Sequence, residues 1–283
     1  MTPRRVVAVL SGGGAKAAAH VGAVSALAER GLAPAHYVAT SMGALAGALL
    51  AAGLTAADAA ARLMAVRRED IVRPRVAALF GGLWSGSVLR PAPFRRALAG
   101  VLPVRRFSEL PVPLTITATD YDTGQGVRLG AGGEEVDLLD AIEAACALPL
   151  YLPPVRVNGL RLVDGGLRAA LPLWAAESLE AGLVVALDVG PRLDEVPAAE
   201  PAGVPPLLRY ADGALGILMA HGSDAEIARW RATPGRAPLV VVRPRMPRHA
   251  TFRTDLVPAH VDEGRRATLA ALESAAALTA QAR

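Results

Sequence analysis

The chain has 283 residues, 52% hydrophobic and 20% charged, enough for a sizeable core and too apolar for a disordered chain. One cysteine, Cys146, excludes an intrachain disulfide framework and a cysteine-based zinc site; it reads as a small buried residue on a helix. Lys16 is the only lysine beside 29 arginines, and nine arginines against two acids fall between Arg67 and Arg106, so that segment carries +7, the whole chain +4 and the remainder −3. Such an arginine bias is compositional, and no nucleic-acid partner is expected.

Val6–Leu10 predicts a buried strand. Arg4 and Arg5 precede it, but its apolar run is shorter than the roughly 7–15 residues of a signal-peptide core. The longest weakly polar run, Met42 to Leu54, is shorter than the about 20 residues that span a bilayer. A cytoplasmic protein without signal peptide or transmembrane helix is therefore expected, with peripheral membrane contact open. A glycine loop follows the strand, then a helix from about Ala17 to Arg30, ended by Gly31. His36–Ala39 predicts a second strand, Ser41 a turn, and the next residues a helix through Ala52 stopped by Gly53. Thr55 caps a further helix from Ala56 to about Val66.

Residues 67–106 have poor periodicity and several breakers, including Gly81, Gly82, Pro91 and Pro93, and read as an excursion from the sheet. Leu114–Asp120 resumes as a strand, with Val127–Leu129 pairing beside it. Leu138–Ala147 predicts a helix. Val155–Val157 and Arg161–Val163 flank Asn158-Gly159, a hairpin signal. A helix over Leu173–Ala181 and a strand over Leu183–Asp188 follow. Pro191 to Pro206 reads as a Pro-rich loop. A helix from about Leu207 to Trp230, a strand over Leu239–Val242 and a helix over His260–Ala280 complete the chain. The alternation predicts an α/β fold with a mostly parallel sheet, and the late strand predicts one domain over 1–283.

Three segments carry candidate chemistry. Ser11-Gly12-Gly13-Gly14-Ala15-Lys16 offers backbone N–H groups to negative charge at a helix start. Gly12-x-Gly14-x-x-Ala17 also fits a dinucleotide fingerprint, but no Asp or Glu lies between Gly31 and Ala57 to hold a ribose. A P-loop is excluded because Lys16 is followed by Ala17. Ser41, in Ala39-Thr40-Ser41-Met42-Gly43, sits between a short strand and a small-residue helix, as an exposed nucleophile does. Asp164, in Leu162-Val163-Asp164-Gly165-Gly166, ends a strand before glycines that leave room around a carboxylate. The base for Ser41 is either Asp164 directly or a later histidine, His221, His249 or His260. Asp120-Tyr121-Asp122-Thr123-Gly124 reads as a turn, since the twelfth position of a calcium loop is Ala131.

Together these blocks resemble the patatin-like phospholipase family. The likeness rests on Gly12-Gly13-Gly14-Ala15-Lys16, Thr40-Ser41-Met42-Gly43 and Asp164-Gly165-Gly166. Ala118-Thr119-Asp120, Asp122-Thr123-Gly124 and Ala141–Pro149 are also similar to bacterial members. The resemblance implies a three-layer α/β/α fold and a Ser41–Asp164 dyad without histidine. It implies an oxyanion hole at Gly12–Lys16, hydrolysis of lipid or other acyl esters, and no metal or organic cofactor. Two positions depart from the pattern. Ala39 replaces the first glycine of the nucleophile turn, and Ala17 replaces the glycine after the basic residue; either would be costly if it required positive φ. An acyl-binding protein with little turnover is the alternative. The segment 67–106, with Val76–Phe80, Leu83 and Trp84 among its arginines, is expected either to pack on the core or to cap the site and contact anionic membrane. The oligomeric state is not legible.

Overall fold

A computed structural model describes residues 5–71, 87–192, 205–247 and 253–281. The strands are β1 (Val6–Leu10), β2 (Pro34–Thr40), β3 (Leu114–Asp120), β4 (Gly126–Gly130), β5 (Val155–Val157), β6 (Leu160–Asp164), β7 (Leu183–Leu187) and β8 (Leu239–Val242). The helices are α1 (Ala19–Glu29), α2 (Met42–Ala51), α3 (Ala56–Ala65), α4 (Arg68–Ile71), α5 (Pro91–Val101), α6 (Leu138–Ala145), α7 (Gly166–Ala169), α8 (Leu173–Ala176), α9 (Pro206–Ala232) and α10 (Val257–Gln281).

All eight strands join one sheet. β3, β2, β1, β7 and β8 are parallel neighbours, while β4, β5 and β6 add antiparallel pairs. β1 shows why there are three layers. Its residues are all apolar, so alternate side chains enter cores on opposite faces. Val6, Ala8 and Leu10 pack with Val21 of α1 and Leu45 of α2. Val7 and Val9 pack with Leu173 of α8 and with Ile227 and Trp230 of α9. The expected sheet, mostly parallel and covered on both faces, is the one found.

α1 and α10 cross closely because both present glycine. A Cβ on Gly22 would lie 1.8 Å from the Val261 carbonyl oxygen, and one on Gly264 2.0 Å from that of Ala19. Glycines also end helices where expected: Gly31 and Gly53 hold φ of 69° and 79°.

Three local expectations change. The first helix opens as a tight 3-10 turn, Gly14–Ala18, before α1. The helix expected over 173–181 stops at Ala176, because the chain must turn to enter β7, where Gly182 N–H donates to Arg5 C=O at 2.8 Å. Within the arginine-rich excursion, α5 forms with Pro91 in its first turn and buries Phe94, Leu98 and Val101. The apolar stretch from Val76 to Trp84 lies outside the described residues, as do 193–204 of the Pro-rich loop and His249. Among the described residues no helix is long and apolar enough to cross a membrane.

Candidate active site

β3 brings the two candidate reactive groups together. One of its edges is taken by β4 along Thr115–Thr119. β2 pairs with Leu114–Thr117 and β6 with Ala118–Asp120, so both share the other edge. β2 runs parallel to β3 and ends with Thr40 opposite Thr117; β6 runs antiparallel and ends with Asp164 opposite Ala118. Their carboxyl ends therefore meet head to head at adjacent residues of β3. The join is tight: a Cβ on Gly165 would lie 2.2 Å from Thr40 Oγ1 and 2.3 Å from the Thr117 carbonyl oxygen. Only glycine lets β6 end there.

Ser41 follows Thr40 directly and caps α2, with φ 50° and ψ −138°. A non-glycine residue in that region costs roughly 1–3 kcal/mol and is held there by its surroundings. Two glycines provide the hold. A Cβ on Gly43 would lie 2.4 Å from the Ser11 carbonyl oxygen, and one on Gly12 2.8 Å from Ser41 Cβ. A serine in this position ordinarily caps its own helix. Here the hydroxyl makes no cap bond and instead donates to Asp164 Oδ2 at 2.7 Å.

Asp164 is 3% exposed. Its Oδ1 accepts the Gly166 N–H at 2.7 Å, and its backbone carbonyl accepts Thr119 Oγ1–H at 3.0 Å. Burial raises its pKa from 3.8 to about 6, against the opposing pull of the Gly166 N–H and the Ser41 hydroxyl. The carboxylate is thus ionised near neutral pH and more basic than an exposed aspartate.

The glycine loop lies beside Ser41. Gly12 N–H donates to Ala170 C=O at 3.0 Å and Lys16 N–H to Gly13 C=O at 3.3 Å. The turn's own bonding starts there, leaving the N–H groups of Gly13, Gly14 and Ala15 outside it. Gly14 holds φ 59°, a conformation that favours glycine. Lys16 is buried, and its ammonium donates to the Gly190 carbonyl at 3.4 Å, tying the loop to the segment after β7. Ser11 adds a second tie, its Oγ accepting Val189 N–H at 2.8 Å.

These groups line a cavity of about 410 Å³. Gly12–Lys16, Ser41, Met42, Asp164 and Gly166 all line it, and its remaining wall is largely apolar, including Leu63, Phe94, Leu152 and Met219. Gly165, Ala39, Thr40 and Gly43 shape the strand and helix ends behind it. Cys146, expected to be a plain core residue, also lines the cavity, its Sγ 3.9 Å from Met42 Sδ. Burial, and then the nearby Asp164 charge, push its thiol pKa up, so it stays protonated. Sequence reasoning missed the wall because its members come from α3, α5, α9 and the loop after α6. The apolar spacing of Phe94, Leu98 and Val101 was the available signal for α5.

Among the described residues no histidine hydrogen-bonds Ser41 or Asp164. His20 Nε2 contacts the Ser11 carbonyl at 2.9 Å, His36 Nε2 contacts Thr115 Oγ1 at 2.8 Å, and His260 Nδ1 contacts the Ala15 carbonyl at 3.3 Å. Burial lowers the pKa of each, to about 4 for His20 and His36. His221 lies on α9. Asp120 uses its carboxylate on its own turn, accepting Asp122 N–H at 3.1 Å and Thr123 Oγ1–H at 2.7 Å. Among the described residues no group of three or more His, Cys, Asp or Glu side chains could hold a metal ion.

The family model for patatin-like phospholipase matches residues 8–177, which hold the glycine loop, Ser41 and Asp164. The chain belongs to the patatin-like phospholipase family. It is 30% identical over 198 residues to an uncharacterized NTE family protein of Mycobacterium bovis, spanning 68% of this chain and 52% of that protein. It is 30% identical over 196 residues to patatin-like phospholipase domain-containing protein 6 of Mus musculus, spanning 67% of this chain and 14% of that one. The chain thus spans about half the length of the mycobacterial relative. VipD from Legionella pneumophila has a similar fold, with TM-score 0.50 at 14% identity, covering 96% of this chain and 67% of that one.

In this patatin-like chain the two departures carry no backbone strain. Positive φ at non-glycine residues is confined, among the described residues, to Ser41, Leu150 and Asn158. Ala17 lies in the 3-10 turn and Ala39 in β2. The extra methyl of Ala39 faces Gly47 of α2, where a Cβ would stand 3.3 Å away.

Proposed function

We propose that the chain is a serine acyl hydrolase acting on lipid or related carboxylic esters through a Ser41–Asp164 dyad. The observation that carries this reading is the 2.7 Å hydrogen bond from Ser41 Oγ to Asp164 Oδ2 in an apolar-walled cavity. Asp164 takes the hydroxyl proton as Ser41 Oγ attacks the ester carbonyl. The N–H groups of Gly13 and Gly14, with Ala15 beside them, stabilise the oxyanion, at about 3–4 kcal/mol per donor in related chemistry. The start of α2 adds a favourable dipole. The proton then passes from Asp164 to the departing alcohol, leaving an acyl-Ser41 ester. Water attacks that ester with Asp164 accepting its proton; the bond from Ser41 Oγ to the acyl carbon then breaks, Asp164 returns the proton to Ser41 Oγ, and the carboxylic acid leaves.

Nothing in these steps requires a metal or organic cofactor. The apolar wall fits an acyl chain, and a cavity of about 410 Å³ is of ligand size. The test is hydrolysis of p-nitrophenyl esters from short to long chain by the wild type and Ser41→Ala. Turnover that disappears with Ser41 supports the reading, and the chain-length profile measures the acyl site. No turnover at any length, with acyl chains still bound, overturns it in favour of a binding protein.

A further inference from the structure

Ser11 follows β1 directly and is fully buried. Its backbone is fixed without help from its side chain. The Ser11 N–H donates to Leu187 C=O at 3.1 Å, and the Ser11 C=O accepts from His20 Nε2 at 2.9 Å, where His20 must be the donor because a carbonyl only accepts. The next N–H, that of Gly12, donates to Ala170 C=O at 3.0 Å. The hydroxyl is therefore not needed to hold the end of the strand.

A serine hydroxyl has one proton and two lone pairs. Val189 N–H donates to Ser11 Oγ at 2.8 Å, and the hydroxyl proton goes to Gly12 C=O at 3.1 Å. The Gly12 carbonyl thus faces the segment after β7; a Cβ on Gly190 would lie 3.4 Å from its oxygen. Across a trans peptide the N–H points opposite to the C=O. The Gly13 N–H therefore points away from Val189 and Gly190, and no backbone carbonyl among the described residues accepts it. Gly12 abuts Ser41, and Gly12, Gly13 and Ser41 all line the cavity.

This peptide joins two glycines, so no side chain resists its rotation. A half-turn would put the Gly12 carbonyl oxygen where the Gly13 N–H had been. The site would then present a lone pair, in place of a donor, to a developing oxyanion. We propose that Ser11 is a positioning residue for the oxyanion hole: its hydroxyl holds the Gly12–Gly13 peptide with the Gly13 N–H facing the ester at Ser41. Ser11 acts through that peptide and does not itself line the cavity. Its part in turnover rests on the hydrolase reading; the orientation of the peptide does not.

The experiment compares wild type, Ser11→Ala and Ser11→Thr in ester hydrolysis, in inhibition by octylboronic acid and in crystal structures. Removing one oxyanion donor costs about 10²–10³-fold, so Ser11→Ala should lose about 10²-fold in kcat with KM within about threefold. Octylboronic acid, which adds to Ser41 Oγ and leaves an oxygen in the oxyanion position, should weaken by a similar factor, while octanol binds as before. Ser11→Thr keeps the hydroxyl and should restore most of the rate. In the crystals the peptide should match the wild type in Ser11→Thr and be reversed, or split between two orientations, in Ser11→Ala. An unchanged peptide or an unchanged kcat in Ser11→Ala overturns the proposal. So does an equal loss in both variants, which assigns the effect to packing, or octanol binding that falls with that of the boronate. Should Ser11→Ala not fold, the wild type decides: the Gly13 amide proton resonance should move when the boronate binds, and a stationary resonance overturns the proposal. A wild type with neither turnover nor boronate binding would instead sink the hydrolase reading, with the crystal structures still deciding what Ser11 holds.

Discussion

On the floor of the cavity, Ser41 and Asp164 are placed by strand register, and glycines at Gly12, Gly43 and Gly165 allow the backbones to touch. On its wall, α9 follows no such constraint: its second half is buried and its first half exposes large apolar side chains. The floor is specified by the chain's contacts with itself. The wall is assembled from distant elements, and part of it, on the first half of α9, is exposed. Substitutions on the floor should therefore change chemistry or folding, and those on the exposed wall should change neither.

The largest effect belongs to Ser41. Ser41→Ala should reduce ester turnover by at least about 10³-fold while leaving the fold intact. Relief of the positive φ is not expected, because alanine carries the same Cβ. Circular dichroism beside the kinetic assay checks both halves, and retained turnover would remove Ser41 from the chemistry.

Asp164 should link activity and stability in opposite senses. Its folded pKa, about 6, lies above the unfolded 3.8, so the folded state binds its proton more tightly. Below pH 3.8 the group is neutral in both states and costs nothing. As pH rises to 6 the folded protein becomes less stable, by roughly 3 kcal/mol in all, and the cost then stays constant. Asp164→Asn should accordingly raise the melting temperature above pH 6 while abolishing turnover. In the wild type, kcat/KM should fall as pH drops through about 6. Denaturant titrations of both proteins at pH 5 and pH 8 separate the effects; a variant less stable than wild type at pH 8 contradicts the burial argument.

Gly165→Ala comes next. Its added methyl meets backbone at Thr117 as well as the Thr40 side chain, so the ends of β2 and β6 must separate. Overpacking of this kind costs about 1–3 kcal/mol, and a displacement near 1 Å can cost about 10²-fold in rate. A Gly165→Ala protein with wild-type melting temperature and turnover would show that the head-to-head join is looser than its geometry indicates.

The sequence made the floor readable and left the wall obscure for a physical reason. β1 announced itself by five apolar residues, the β5–β6 hairpin by Asn158 and Gly159, which hold φ of 48° and 83°, and the helix ends by Gly31 and Gly53. Ser41 and Asp164 were legible because strand ends followed by glycines are local signals. Their mutual contact was not, since it arises only when β2 and β6 share one edge of β3. α5 was hidden by Pro91 and Pro93, which occupy its first turn where missing N–H groups do no harm. The role of Cys146 could not be read from a single residue, because cavity walls are assembled from distant elements.

The smallest expected effect tests whether the floor contains a third member. His260 reaches it from α10, beyond the matched residues 8–177, and contacts Ala15 rather than Ser41 or Asp164. Burial keeps its pKa below the usual value, so it is neutral at pH 7 and its Nδ1–H faces the Ala15 carbonyl. One neutral hydrogen bond contributes about 1 kcal/mol net. His260→Gln should therefore slow turnover by less than about tenfold and leave the acid limb near pH 6 in place. A base would behave otherwise: its loss would cost about 10³-fold or more and remove that limb. The pH profile of His260→Gln thus separates a dyad supported from α10 from a triad completed by it.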